Sequence, residues 1–188
     1  MSVKIIADSA SDIKVGYAEA NNIGFAPLKT NLTGIEYRDG IDIVPDVFYD
    51  KLAANKELAH TSQVNPGEFA ALFEKEINEG NDLVVITISS GLSGTYQSAM
   101  IAAAEYPERV FVVDSLSATA GEQVLIERAM ILRDEGKTAK EIFNELDILR
   151  KKESCLKKLL ELTTAQESSL KGEEFDEDGF TGLMQEKQ

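Results

Sequence analysis

The stretch Asp82–Met100 reads DLVVITISSGLSGTYQSAM. Its first half, Leu83-Val84-Val85-Ile86, is an apolar run dominated by β-branched residues. That pattern belongs to a strand buried on both faces, as inside a parallel sheet. The run stops at Ser89-Ser90-Gly91 and passes through Leu92-Ser93-Gly94-Thr95. Helical spacing then takes over at Tyr96, Gln97, Ala99, Ala102 and Ala103. A strand, a small-residue turn and a helix in succession aim unpaired N–H groups into the crevice at the carboxyl edge of a sheet. Those donors, with the positive end of the helix dipole, favour an anion. The expectation is a carboxylate or phosphate head group near Ser93. The competing reading is the same turn without a ligand.

Working outward, the arrangement recurs twice. Val3–Ala7 reads as a first strand and is followed by Asp8-Ser9-Ala10-Ser11-Asp12, where Ser9 or Ser11 caps a helix and Asp12 lies in its first turn. Arg109–Asp114 reads as another buried strand, ending in Asp114-Ser115 and the small-residue run to Gly121. Right-handed crossovers between parallel strands place all three turns on one edge. Asp8, Ser9, Asp114, Ser115 and Thr95 therefore become candidate neighbours of Ser93.

The intervening chain supplies the rest of the domain. Ile23–Leu32 is extended, with Pro27 marking an edge or strand end. Gly34–Asp42 suggests a small hairpin turning at Asp39-Gly40. Pro45 opens a helix whose Phe48 and Leu52 are expected in the core. His60-Thr61-Ser62-Gln63 is a short polar connection, read either as turn chemistry or as hydroxyls facing the Ser93 turn, with His60 as a lone candidate base. Asn65-Pro66-Gly67-Glu68 forms a capping box ahead of the stripe Phe69, Leu72, Phe73 and Ile77. A later helix carries Val124, Leu125, Ala129 and Leu132 and stops at Gly136; Thr138–Glu141 caps another, with Ile142, Leu146 and Leu149 inward. The pattern defines an α/β fold over 1–150: a mostly parallel sheet flanked by helices, with a small hairpin. Residues 151–188 read as a helical or disordered C-terminal tail, since Glu173–Asp178 holds five acids in six residues and no buried-strand pattern follows Arg150.

Composition narrows the function. The chain has 188 residues, 43% of them hydrophobic, and 33 acidic against 19 basic side chains for a net charge of −14. Such a charge repels nucleic acid and anionic membrane. No run is long enough to span a bilayer, and the start MSVKIIADS does not read as a secretory signal. Cys155 and His60 are each the sole residue of their type, which argues against a disulfide or a cysteine–histidine metal centre. A cytoplasmic protein without stable membrane insertion, metal or cofactor is expected.

Four segments carry a resemblance to the DegV family of lipid-binding proteins, which includes the fatty-acid-binding subunits of bacterial fatty acid kinase. They are Asp8–Asp12, Thr61-Ser62-Gln63, Ile88–Ala99 and Val113-Asp114-Ser115, in order across roughly 3 to 150. The resemblance implies a long-chain fatty acid whose carboxylate sits at Thr61 and Ser93, with the Gly94 N–H as a further donor. Asp8, Ser9, Ser62, Gln63, Thr95, Asp114 and Ser115 would surround it. It also implies a carrier and not a catalyst: a separate dihydroxyacetone-kinase-like subunit binds ATP and phosphorylates the presented carboxylate. The chain accordingly lacks a Gly-x-x-x-x-Gly-Lys-Ser/Thr loop. Family members continue into a second domain that completes the acyl tunnel, and Lys152-Glu153-Ser154-Cys155-Leu156 does not match its opening. This departure suggests a truncated domain with weak or no ligand binding, self-associating through the face a second domain would cover. A hydrolase using Ser93 as nucleophile is a further alternative, opposed by the absence of Gly-x-Ser-x-Gly. A nucleotide-binding domain is another, opposed by the lack of a glycine fingerprint after the first strand.

Overall fold

The computed structural model describes residues 2–55 and 58–152, all within the unit Met1–Ser154. The tail reading falls, from residue 153 onward, outside the described residues. In chain order the elements are β1 (Ser2–Asp8), α1 (Val15–Ala20), β2 (Ile23–Ala26), β3 (Lys29–Leu32), β4 (Ile35–Arg38), α2 (Pro45–Ala54), β5 (His60–Ser62), α3 (Pro66–Asn78), β6 (Asn81–Thr87), α4 (Thr95–Ala103), β7 (Val110–Asp114) and α5 (Ala120–Asp134). A sixth helix, α6, occupies 139–152.

Four strands form a parallel sheet in the order β2-β1-β6-β7. The apolar runs of β1 and β6 lie in its middle, where Ile5, Ile6, Ala7 and Leu83–Ile86 are wholly buried. Successive strand residues face opposite sides. Ile5, Ala7, Val84 and Ile86 thus pack with Leu125, Ala129 and Leu132 of α5 and with Ile142 and Leu146 of α6. Ile6, Leu83 and Val85 pack instead with Phe69 and Phe73 of α3 and with Ala99 and Ala102 of α4. This two-sided burial is why the runs are continuous rather than alternating.

Capping chemistry appears where the residues dictate it. The Asn65 side chain accepts from Glu68 N while Glu68 accepts from Asn65 N, and Thr138 and Glu141 do the same ahead of α6. Gly136, at φ +82, ends α5. Its N–H donates to Arg133 O and that of Lys137 to Leu132 O, the paired bonds of a Schellman stop.

Several expectations are corrected. Neither Ser9 nor Ser11 caps a helix; they lie in a short 3-10 turn capped by the Asp8 side chain, and Asp12 closes it with φ 59. The next helix starts only at Val15, without a side-chain cap. The extended segment divides at Pro27: β2 stays in the parallel sheet, while β3 enters a second, antiparallel sheet ordered β4-β3-β5. The hairpin turns at Thr33-Gly34, both with positive φ (54 and 76), as a two-residue turn with matching strand twist requires. Asp39-Gly40 does form a turn, with Ile41 N donating to Arg38 O and Gly40 at φ 73, but it lies beyond the hairpin, where Asp39 bridges to Ile43. The polar segment His60–Ser62 is a strand, pairing Thr61 with Thr30. Helix α2 buries no residue fully, so Phe48 and Leu52 are only half-buried, and Val124 lies on the solvent side of α5.

Candidate functional site at the carboxyl edge of the sheet

Three loops leave the carboxyl ends of β1, β6 and β7, and hydrogen bonds tie them into one layer. Asp8 Oδ2 accepts from Ile88 N at 2.8 Å, while its Oδ1 accepts from Ala10 N at 3.0 Å. Asp114 Oδ1 accepts from Ser90 N and Leu116 N, and Oδ2 accepts from the Ser90 hydroxyl at 2.5 Å. Ser89 N donates to Ser117 O, and Thr119 N to Ala10 O. Two buried carboxylates thus clamp the 88–95 loop from either side, Asp8 at its start and Asp114 at Ser90. Charge-assisted bonds of this kind are the strong ones.

Within the loop nearly every backbone donor is used. Gly91 N donates to the Ser89 hydroxyl, Leu92 N and Ser93 N to Ser89 O, and Thr95 N to the Ser93 hydroxyl. The Ser93 and buried Thr95 hydroxyls lie 2.9 Å apart. Gly94 N, just ahead of α4, makes no hydrogen bond among the described residues. A half-buried hydroxyl and a free N–H therefore meet at the positive end of α4, and this pair can hold one carboxylate oxygen each.

Gln63 joins β5 to this point. Its Nε2 donates to the Ser98 hydroxyl at 2.9 Å, and its Oε1 would lie 1.9 Å from a Cβ placed on Gly94. Glycine is needed here for close approach and not for an unusual φ, which is −74. Gly94→Ala displaces Gln63 and removes its bond to Ser98. The expected destabilisation is about 1 kcal/mol, falling to nearly nothing in a Gln63→Ala background. Denaturant titration of the four proteins in this cycle measures the coupling.

The other candidate residues divide by role. Asp8 and Asp114 build the loop layer. Ser9 is buried and accepts from Leu28 N. Ser115 is buried, donates to Ser117 O and accepts from Ser117 N. Thr61 and Ser62 lie exposed on β5, and it is Gln63, not Thr61, that makes the contact with α4. His60 stands opposite Asn31 in the small sheet.

Three participants escaped the sequence reading. Ser89 organises the loop through both its hydroxyl and its carbonyl. Arg150, paired with Asp147, donates from Nη1 to Asp114 O at 2.8 Å and anchors α6 to the end of β7. Glu122, on the first turn of α5, is completely buried. The backbone at the entrance to α5 is also strained: Thr119, a β-branched residue, has φ 50 and ψ −120.

Open cavities occur elsewhere on the described surface. One of about 250 Å³ is lined by Asp12, Ile13, Lys14, Tyr17, Gln123, Ile126 and Glu127. Another of about 290 Å³ lies among Met100, Phe111 and Phe143. Neither is lined by Ser93 or Thr61.

Fold and loop layer together define an open-sheet α/β domain whose strand-to-helix turns meet at one edge of the sheet. A family model described as "Uncharacterised protein, DegV family" matches residues 2–163, and the chain belongs to the DegV family. A DegV domain-containing protein of Staphylococcus aureus (strain COL) is 38% identical over 146 residues, covering 78% of this chain and 52% of its own length. The chain thus spans about half the length of the curated relatives it matches. Among solved structures, a DegV family protein from Thermus thermophilus described by its fatty acid binding superposes with a TM-score of 0.74 at 34% identity, over 80% of this chain and 54% of that one. A stearic acid-binding protein from Eubacterium ventriosum superposes with a TM-score of 0.70 at 30% identity, over 77% and 52%.

Proposed function

We propose that this domain binds a long-chain fatty acid by its carboxylate and acts as a cytoplasmic carrier. It would present the acyl group to a separate, dihydroxyacetone-kinase-like ATP-binding subunit. The observation that carries the reading is the Gly94 N–H, unpartnered among the described residues, beside the Ser93 hydroxyl at the start of α4. Thr61 would supply a third contact from β5, on the strand that delivers Gln63 to the same helix. Fatty-acid binding by similar solved proteins supports the ligand class. Among the described residues the Ser93 hydroxyl is paired with Thr95 and not with a base. This favours binding over hydrolysis, because a serine nucleophile requires a base within hydrogen-bond reach. Among the described residues no helix is long and apolar enough to cross a membrane.

A second reading, a domain that binds lipid weakly or not at all, is favoured by one observation. The open cavity lined by Asp12 and Glu127 and the one lined by Met100 and Phe143 do not include Ser93, Gly94 or Thr61 in their walls. A sixteen-carbon tail gains roughly 0.8 kcal/mol for each CH₂ it buries, so affinity depends mainly on how much of the tail is enclosed.

The test is mass spectrometry of the organic extract from the full chain purified from a bacterial host, followed by palmitate titration of the delipidated protein. Stoichiometric fatty acid is expected. Ser93→Ala should weaken palmitate binding roughly three- to tenfold, the equivalent of one hydrogen bond. A lipid-free protein that fails to bind palmitate overturns the carrier and leaves the second reading.

A further inference from the structure

Glu122 is 0% exposed and both carboxyl oxygens lack a hydrogen-bond partner among the described residues. Its charged neighbours are Asp8 and Asp12. Asp8, 1% exposed, is already committed through both oxygens to Ala10 N and Ile88 N. Among the described residues the surrounding elements bring no cation into an ion pair with these acids. From β7, Asp114 is engaged with Ser90 and Leu116, and α5 contributes Gln123, whose amide donates to Ser11 O. Lys14 and Glu127 line the open cavity with Asp12. None of the ion pairs among the described residues includes Asp8, Asp12 or Glu122. Two adjacent buried carboxyls in such a setting cannot both be charged.

We propose that Glu122 is a positioning residue for the 88–95 loop: it remains a neutral acid, donates its proton to the Asp8 carboxylate, and so keeps on Asp8 the charge that grips the Ile88 N–H. The assignment of roles follows from the contacts. Asp8 receives two backbone N–H bonds, which favour its charged form, while Glu122 receives none. Burial, followed by the Asp8 and Asp12 charges, pushes Glu122 up to about 10. Burial pushes Asp8 up to about 6, against the lowering effect of the Ile88 and Ala10 N–H groups and of Glu122. The pair therefore holds one proton at neutral pH, and a second arrives near pH 6. That second proton weakens the Asp8–Ile88 bond and loosens the base of the loop carrying Ser93 and Gly94. On the carboxylate-binding reading above, this ties lipid affinity to pH; the loop positioning itself does not depend on that reading.

The test uses the full ¹⁵N-labelled chain without ligand, so it stands or falls separately from the fatty-acid proposal. The Ile88 amide resonance is followed between roughly pH 4.5 and 8. It should titrate with a midpoint near 6 in the parent protein. Glu122→Leu, which removes the donor, should move the midpoint up by about one pH unit, and Glu122→Gln, which keeps an N–H donor, should restore it. An Ile88 amide that does not titrate, or a midpoint identical in all three proteins, overturns the proposal. If Glu122→Leu does not fold, the ¹³C shift of the Glu122 carboxyl in the parent protein decides. A neutral acid at pH 7 supports the proposal, and a carboxylate there overturns it.

Discussion

Replacing Asp114 with alanine is expected to destabilise the domain by roughly 3 kcal/mol or more, because one carboxylate serves three donors. Ser90 N, the Ser90 hydroxyl and Leu116 N all lose their acceptor. Bonds to a charged group contribute about 1.5–3 kcal/mol each, and these are not additive because they share one acceptor. Asp114→Asn supplies the contrast. Its amide oxygen still serves the two backbone N–H groups, and its amide nitrogen can donate to the Ser90 hydroxyl. Its cost should stay below about 1 kcal/mol. Urea unfolding of the three proteins measures the difference. Equal losses in both variants would mean that the carboxyl does not organise the loop. On the proposed function, because Ser90 lies three residues before Ser93, the alanine variant should also lose palmitate affinity at least tenfold, while the asparagine variant should largely retain it.

Glu122→Gln is expected to stabilise the protein, with a gain that grows with pH. Glu122 is raised from an ordinary value of 4.5 to about 10 in the fold. Between those values the folded state holds a proton that the unfolded state has lost, so stability falls as pH rises, by about 1.4 kcal/mol per unit. The contribution is fully present below pH 4.5 and disappears progressively towards pH 10. Glutamine cannot ionise, and the variant escapes this loss. Its advantage over the parent should be close to zero at pH 4.5 and roughly 3 kcal/mol at pH 7. That corresponds to a rise in Tm on the order of 5–10 °C. The fall that persists in the variant should lie between about pH 4 and 6, where Asp8 releases its own raised proton. Differential scanning calorimetry of both proteins across this range provides the check. A variant less stable than the parent at pH 8 would show that Glu122 is ionised and paired.

How much of the site was legible depends on the range of the interactions involved. The Ile88–Thr95 loop could be read directly, because a β-branched run, a small-residue turn and a helix start are neighbours in the chain. That Asp8 and Asp114 would approach it also followed, since parallel strands with right-handed crossovers bring their carboxyl ends to one edge. Their role did not follow. Each carries its charge to a backbone N–H from another loop, 80 residues away for Asp8 and Ile88, and 24 for Asp114 and Ser90. Glu122 drew no reading from the sequence, because nothing local marks a position as buried.

Residues next to one another in the chain were sufficient to determine strands β1, β6 and β7, the helices from α2 onward, the capping boxes at Asn65 and Thr138, the glycine stop at Gly136 and the α/β class. These depend on side-chain periodicity and on bonds spanning a few residues. Tertiary structure alone decided that His60–Ser62 is a strand, that Gln63 rests on Gly94, and that Glu122 is buried with Asp8 among its neighbours. A three-residue polar strand has no periodicity to reveal it and forms because β3 offers an edge. Burial of an acid, likewise, is set by what packs around it from distant parts of the chain, and the charge it can carry is settled only there.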